Sequence, residues 1–369
     1  MLGGFAPKSR LGRGVVALAG GTAVAQITTA CGMPVVTRLY TPDEIGIISI
    51  FLAFFGLWAS LLSLRYESAV IVAVDDTEAA HVFRVGGVCV AMMAALSAPV
   101  LFWLTRDKIL GFAILPSWAV LISVPLFIGY GIFMLYRALS LRRGLVKSIG
   151  RAAVAKSGSN VIIRILSGLL GGGTIGLFAA EFGGALGAAI ILRRAVHRHD
   201  KARLPMRWGA MHMAAMRYAK FAKYEMPSVA LNQLAIMLPI PMIASLYGAR
   251  AAGWFGLARL LVAVPNSQIG MAVADVFQME VASAVRERRH KEAYGLFRDL
   301  LRKLSAYGLL PLAAVMIGAP LFAAPLFGKN WEDVGRIAAW IAPWMYAALV
   351  VGSLSLVLSV LEKQEYKLI

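Results

Sequence analysis

Apolar runs of about twenty residues recur along this chain, and the short segments between them hold most of its charge. That alternation limits the possible folds more than any other feature. A helix rises 1.5 Å per residue, so each run is long enough to cross a bilayer with its backbone hydrogen bonds closed internally. A soluble chain of 369 residues has no use for so many such runs, because it must leave polar surface facing water. The composition agrees. Apolar residues make up 59% and charged residues 15%, against roughly 45–50% and 25% in soluble domains. The implied fold class is an all-α polytopic membrane protein.

Ten spans are predicted: 15–36, 45–64, 85–104, 109–135, 157–170, 174–192, 227–247, 251–277, 304–327 and 337–361. The fifth and sixth are the weakest, since Arg164 and Gly171–Gly173 interrupt them. The basic N-terminus with Lys8, Arg10 and Arg13 could pass for a signal peptide, but the apolar stretch after it is too long and more spans follow.

Orientation follows from the lysines and arginines. With the N-terminus in the cytoplasm, 29 of the 37 fall on the cytoplasmic side and six (Arg38, Arg106, Lys108, Arg250, Lys329, Arg336) on the other; Arg164 and Arg259 lie within spans. Such a bias is the topogenic signal of an inner-membrane protein. It also accounts for the net charge of +18 as attraction to anionic lipid, with no nucleic acid involved. The expected location is the bacterial inner membrane, multi-pass.

No extracytoplasmic loop exceeds about ten residues, so none can house an active site. The longest loop, 193–223, is cytoplasmic and basic and reads as a linker. It separates an N-terminal six-helix lobe, 1–192, from a C-terminal lobe, 227–369, with 193–226 between them.

An internal repeat supports two halves. Leu39-Tyr40, five residues and Gly46 match Leu246-Tyr247, five residues and Gly253, at an offset of 207. Glu78-Ala79 and Phe83 match Glu292-Ala293 and Phe297 in the loops that follow. The matches lie six helices apart. Six is even, so the repeats share one orientation and are related by an axis along the membrane normal, an architecture of transporters with the substrate path between halves.

Thr37-Arg38-Leu39-Tyr40-Thr41-Pro42-Asp43-Glu44-Ile45-Gly46 resembles the end of the first hairpin in polysaccharide-repeat flippases of the multidrug/oligosaccharidyl-lipid/polysaccharide exporter superfamily. Leu64-Arg65-Tyr66-Glu67-Ser68-Ala69-Val70 and Asp75-Asp76-Thr77-Glu78-Ala79-Ala80 are similar to the first cytoplasmic loop of that family. Ala252-Gly253-Trp254-Phe255-Gly256-Leu257-Ala258-Arg259 and Pro265-Asn266-Ser267-Gln268-Ile269-Gly270 resemble its eighth helix. The resemblance implies export of a polyprenyl-pyrophosphate-linked oligosaccharide repeat for surface polysaccharide (O-antigen or exopolysaccharide), with lobes that rock about a cationic cavity. Its partners would be that lipid-linked oligosaccharide, membrane lipids and other polysaccharide-assembly membrane proteins. No cofactor and no catalytic residue are expected. The family usually has twelve or more helices, so the second lobe, with four, is expected to be two spans short.

Arg164 and Arg259 are the first candidates for substrate contact. A charged residue inside a span is costly and usually faces a cavity or a partner, and arginine offers a bidentate fork to phosphate. The alternatives are snorkelling for Arg259 and pairing with Glu181 for Arg164. Arg65, at the cytoplasmic mouth beside Glu67, could admit the pyrophosphate or anchor the interface. Gln26, Asn232 and Gln233 occupy similar places in the two repeats and could meet sugar hydroxyls or bond neighbouring helices. Glu181 and Asp275, the acids in or at the edge of spans, are candidates for proton or sodium coupling. Cys31 and Cys89 have no CxxC or metal spacing, and none of the five histidines has metal-ligand spacing. No nucleophile elbow, Walker A loop or zinc-protease motif is present.

Two rival readings stay open. A drug/cation antiporter of the same superfamily would need an acidic cavity, whereas two arginines face one clear glutamate here. A membrane glycan polymerase or ligase would need a sizeable extracytoplasmic loop.

Overall fold

The computed structural model describes residues 10–199, 208–286 and 290–360. Twelve helices and no strand occur among them. They are α1 (Arg10–Leu39), α2 (Pro42–Leu61), α3 (Tyr66–Val72), α4 (Asp76–Arg106), α5 (Trp118–Arg142), α6 (Val146–Leu169), α7 (Gly173–His199), α8 (Trp208–Arg217), α9 (Met226–Met237), α10 (Pro239–Arg286), α11 (His290–Phe327) and α12 (Glu332–Val360). The protein is an all-α multi-pass membrane protein. Six stretches of the described residues are long and apolar enough to cross a bilayer, and helices stand at all ten predicted spans. α6 is not among the six; Lys147, Arg151, Lys156 and Arg164 lower its hydropathy.

The helix starts and stops have local causes. Thr41 caps α2 through a reciprocal box: its hydroxyl accepts from the Glu44 amide, and the Glu44 carboxylate accepts from the Thr41 amide. Asp75 caps α4 by accepting from the Glu78 amide, with Asp76 and Glu78 adding charge at the positive end of the dipole. This cap moves the start of the third span ahead of its predicted start, into what reads as a loop. The fourth span instead starts late. A 3-10 turn at Leu110–Ile114 precedes Pro116, and α5 begins at Trp118. The glycine run ends α6, with Gly171 at φ 71°, and α7 returns alongside. Gly248 (φ 83°, ψ 177°) breaks α10 at the boundary predicted between the seventh and eighth spans. No β-carbon opposes that conformation.

The loops hold further helices. α3 lies between α2 and α4, and Arg142 closes its C-terminus by donating to the carbonyls of Ala73, Val70 and Ile71 while pairing with Asp76. α8 occupies part of the 193–223 linker. It buries Met211, Ala214 and the following Tyr218 against Tyr66, Ala69, Val82 and Val85. Arg217 and Tyr218 both reach Glu78, at 2.9 and 3.0 Å.

The chain divides into two compact units, Met1–Gly253 and Trp254–Ile369. In the first, α6 packs between α1 and α7, α5 lies against α4 and α7, and α2 against α7 and α9. Aromatic rings fill the middle: Phe51 with Phe178, Phe54 with Trp58 and Phe127, Phe55 with Phe127 and Tyr130. Offset and edge contacts of this kind add to simple area burial. In the second, α11 and α12 form an antiparallel pair. Trp331 is buried at their turn, Trp254 donates to the Asn330 carbonyl at 2.9 Å, and Tyr346 donates to the Ser305 carbonyl at 2.9 Å.

Candidate functional site

Two polar clusters sit among the apolar helices of the first unit. Asn160 and Arg164 are four residues apart on α6, so they share one face. Both reach Oε1 of Glu181 on α7: the Asn160 amide at 2.9 Å and the Arg164 Nη2 at 2.7 Å. The Arg164 and Glu181 side chains are only 12% and 17% exposed. At that depth a lone charge is costly, and each group offsets the other's desolvation. Arg164 Nε is buried without a hydrogen-bond partner among the described residues. The Arg164 carbonyl accepts from the Tyr40 hydroxyl at 2.8 Å, and Tyr40 also meets Ser167 at 2.9 Å. The cluster thus ties α6 to α7 and to the chain leaving α1.

The second cluster lies at the other end of α2. Leu64 and Arg65 both have positive φ, 49° and 65°, where the chain turns from α2 into α3. Non-glycine residues there carry strain of order 1–3 kcal/mol each and persist where surroundings hold them. Arg65 is held by two carboxylates: Nη1 meets Glu67 at 2.7 Å, while Nε and Nη2 meet Glu225. Ser63 hydrogen-bonds the other oxygen of Glu67, which is buried. Glu225 ends a short π-helical turn, Phe221–Glu225, just before α9. Such turns occur mostly as single-turn bulges within α-helices, frequently at functional sites.

The remaining candidates are dispersed. Gln26 is half-buried in α1; next to it, Thr29 and Ser157 join α1 and α6 at 2.7 Å. Asn232 is exposed and Gln233 half-buried on α9. Arg259 is half-buried on α10, in the second unit. The side chain of Asp275 lies outside the described residues. The structure therefore brings together Arg164 with Glu181, and Arg65 with Glu67. It adds Asn160, Ser63 and Glu225, which the sequence reading did not single out. Asn160 carried a usable signal, its i, i+4 spacing from Arg164. Glu225 carried none, being 160 residues from Arg65.

Tyr218 shows how the surface helix is held. Burial and the hydrogen-bonded Glu78 carboxylate push its phenol above the ordinary tyrosine range.

Residues 35–336 match the model of a family of polysaccharide biosynthesis proteins. The chain belongs to that family. No curated protein sequence matches it. Its fold is similar to that of transporters solved in several states. An inward-facing multidrug resistance MATE family transporter of the MOP superfamily aligns at TM-score 0.62 and 14% identity, over 94% of this chain and 80% of that one. An outward-facing transporter of the same description gives 0.55 and 17%, over 95% and 84%. A point mutant of a Vibrio cholerae MATE transporter gives 0.53 and 14%, over 96% and 83%. MATE transporters and this family member thus share a fold.

Proposed function

We propose that this protein translocates a polyprenyl-pyrophosphate-linked oligosaccharide repeat unit from the cytoplasmic to the outer leaflet of the bacterial inner membrane, for surface polysaccharide assembly. The family match over residues 35–336 carries the reading, and the exporter-like fold is consistent with it. No bond is made or broken in such a step, so no catalytic group is required. The head group needs cationic and hydroxyl-binding contacts, and the lipid tail needs only an apolar surface.

Arg65 and Arg164 are the proposed pyrophosphate contacts of the first unit; Arg259 is proposed separately within the second. Arg65 suits admission from the cytoplasm, because its fork already accommodates carboxylates and a phosphate matches the same geometry. Gln26, Asn232 and Gln233 are proposed to meet sugar hydroxyls. Glu181 and Asp275 are proposed for ion coupling, Glu181 because its protonation would release Arg164. The proposed topology puts the N-terminus in the cytoplasm.

A multidrug antiporter is the second reading, favoured by the description of the structural neighbours as multidrug resistance transporters. Depletion of the protein decides between them. Loss of surface polysaccharide with accumulation of lipid-linked repeat units supports the first. Drug hypersensitivity with normal polysaccharide overturns it. Thiol labelling from outside should reach a cysteine placed at Asp107 and not one at Arg198; the reverse would invert the topology.

A further inference from the structure

The sequence repeat and one contact in the first unit coincide. The offset of 207 makes Pro42 equivalent to Ala249, Asp43 to Arg250 and Gly46 to Gly253. At these positions α2 crosses the start of the post-Gly248 part of α10. A methyl group built on Gly46 would overlap the Ala249 carbonyl, and one built on Gly253 would overlap the Pro42 carbonyl. Exchanging each residue for its repeat equivalent turns one contact into the other. Asp43 and Arg250, themselves equivalents, form an ion pair at 3.1 Å. A local two-fold axis therefore passes between two glycines and through a pair of opposite charges.

The physical character of this crossing is unusual. Backbone meets backbone with no side chain between, an approach that small residues permit in membranes. The ion pair is exposed, 62% at Arg250 and 48% at Asp43, and exposed pairs hold weakly. Below the crossing α2 continues beside α9, with Gly56 in contact with the Met237 side chain, down to the more buried Arg65–Glu225 pair. The crossing lies at the end of α2 that the charge pattern places outside.

We infer that Gly46, Gly253, Asp43 and Arg250 form the outer closure of the transport path: shut in the state described here, and parted when the outer end opens. They are positioning residues and need not touch substrate. The inference rests on the transport reading above, because a closure has work to do only in a protein that moves cargo. Opposite charges on the axis favour closing. A like-charge pair there would favour opening.

The test uses the full chain in cells, with Cys31 and Cys89 replaced. Ser49, one turn below Gly46 and buried, is changed to cysteine and probed from outside with a membrane-impermeant maleimide. Labelling should be low in this parent and rise several-fold in Gly46→Leu and in Arg250→Asp. It should return to the parent level in the Asp43→Arg/Arg250→Asp exchange, which restores opposite charges. The exposed charge variants keep the test decisive where Gly46→Leu fails to insert. Separately, Asp43→Cys and Arg250→Cys are joined by a short, reducible bifunctional thiol reagent. Surface polysaccharide should stop appearing and resume on reduction. Unchanged Ser49→Cys labelling across the variants, or full polysaccharide display with the link in place, overturns the closure. An uncrosslinked parent that displays no polysaccharide overturns the transport reading instead, and the labelling alone then decides the closure.

Discussion

Arg164 and Arg65 both meet carboxylates, yet the two ion pairs join different things. Arg164 binds Glu181 across one hairpin, 17 residues away in sequence. Arg65 binds Glu225, 160 residues away, and so links the α2–α3 turn to the start of α9. The Arg164 pair is deep among apolar helices. The Arg65–Glu225 pair is wetter, with side chains 21% and 35% exposed, although Glu67, the other partner of Arg65, is buried. One pair therefore sustains the interior of a helix bundle, while the other fastens segments from different parts of the chain. A substrate phosphate competing for either arginine faces different costs: Arg164 must give up its carboxylate partner, the largely buried Glu181, whereas Arg65 can release the half-solvated Glu225 and keep the buried Glu67. Arg65 is the easier of the two to recruit.

The largest expected effect breaks the deeper pair. Arg164→Ala strands Glu181 in low-dielectric surroundings and should destabilise the protein by about 3–5 kcal/mol, read as loss of folded protein in detergent thermal denaturation. Arg164→Leu/Glu181→Leu removes both charges and should recover most of that loss. A double variant no more stable than the single one would show that the cluster holds the helices by more than charge balance.

Arg65→Ala should have the next largest effect. It removes charge-assisted bonds of roughly 1.5–3 kcal/mol each, reduced here by partial exposure. Transport should fall about tenfold, with some loss of stability because the buried Glu67 keeps only its Ser63 partner; Arg65→Lys, which retains charge without the fork, should fall between. Transport measured by surface polysaccharide, alongside thermal stability of the same variants, compares the two clusters: Arg164 loss should weigh more on stability, Arg65 loss more on transport. Equal stability losses at the two sites would remove the distinction.

Thr41→Ala opens the capping box of α2, at the end far from Arg65, and should cost about 1 kcal/mol of stability. Tyr218→Phe should change least at neutral pH. The Tyr218 phenol is held above its ordinary value, so its contribution is complete below about pH 10 and is lost as pH rises through the raised value. Alkaline unfolding of the wild type should therefore show a component that Tyr218→Phe lacks. An identical alkaline profile would mean that α8 docking does not depend on that proton.

Much of the fold was legible because the bilayer restricts the options. A backbone in lipid must close its own hydrogen bonds, so each long apolar run became a helix, and the break at Gly248 fell where the seventh and eighth spans were divided. The helices between spans were less legible. α3 and α8 are short, and their apolar residues merge into the general apolar background. What marks them is tertiary: Arg142 closing α3, and Glu78 receiving Arg217 and Tyr218 from α8. Among the candidate site residues, Arg164 with Glu181 could be paired from sequence because one tight hairpin keeps them close.

Hydropathy and the positions of charge determined that this chain is an all-helical membrane protein, because lipid acts on composition one helix at a time. The offset of 207 was also present in the sequence, as matching letters. Only the tertiary structure showed that Gly46 and Gly253 meet at a crossing, that Asp43 and Arg250 pair beside it, and that Arg65 is held by Glu225. Those contacts depend on where helices distant in sequence are packed, and packing between helices is set by the fit of many side chains together rather than by any local pattern.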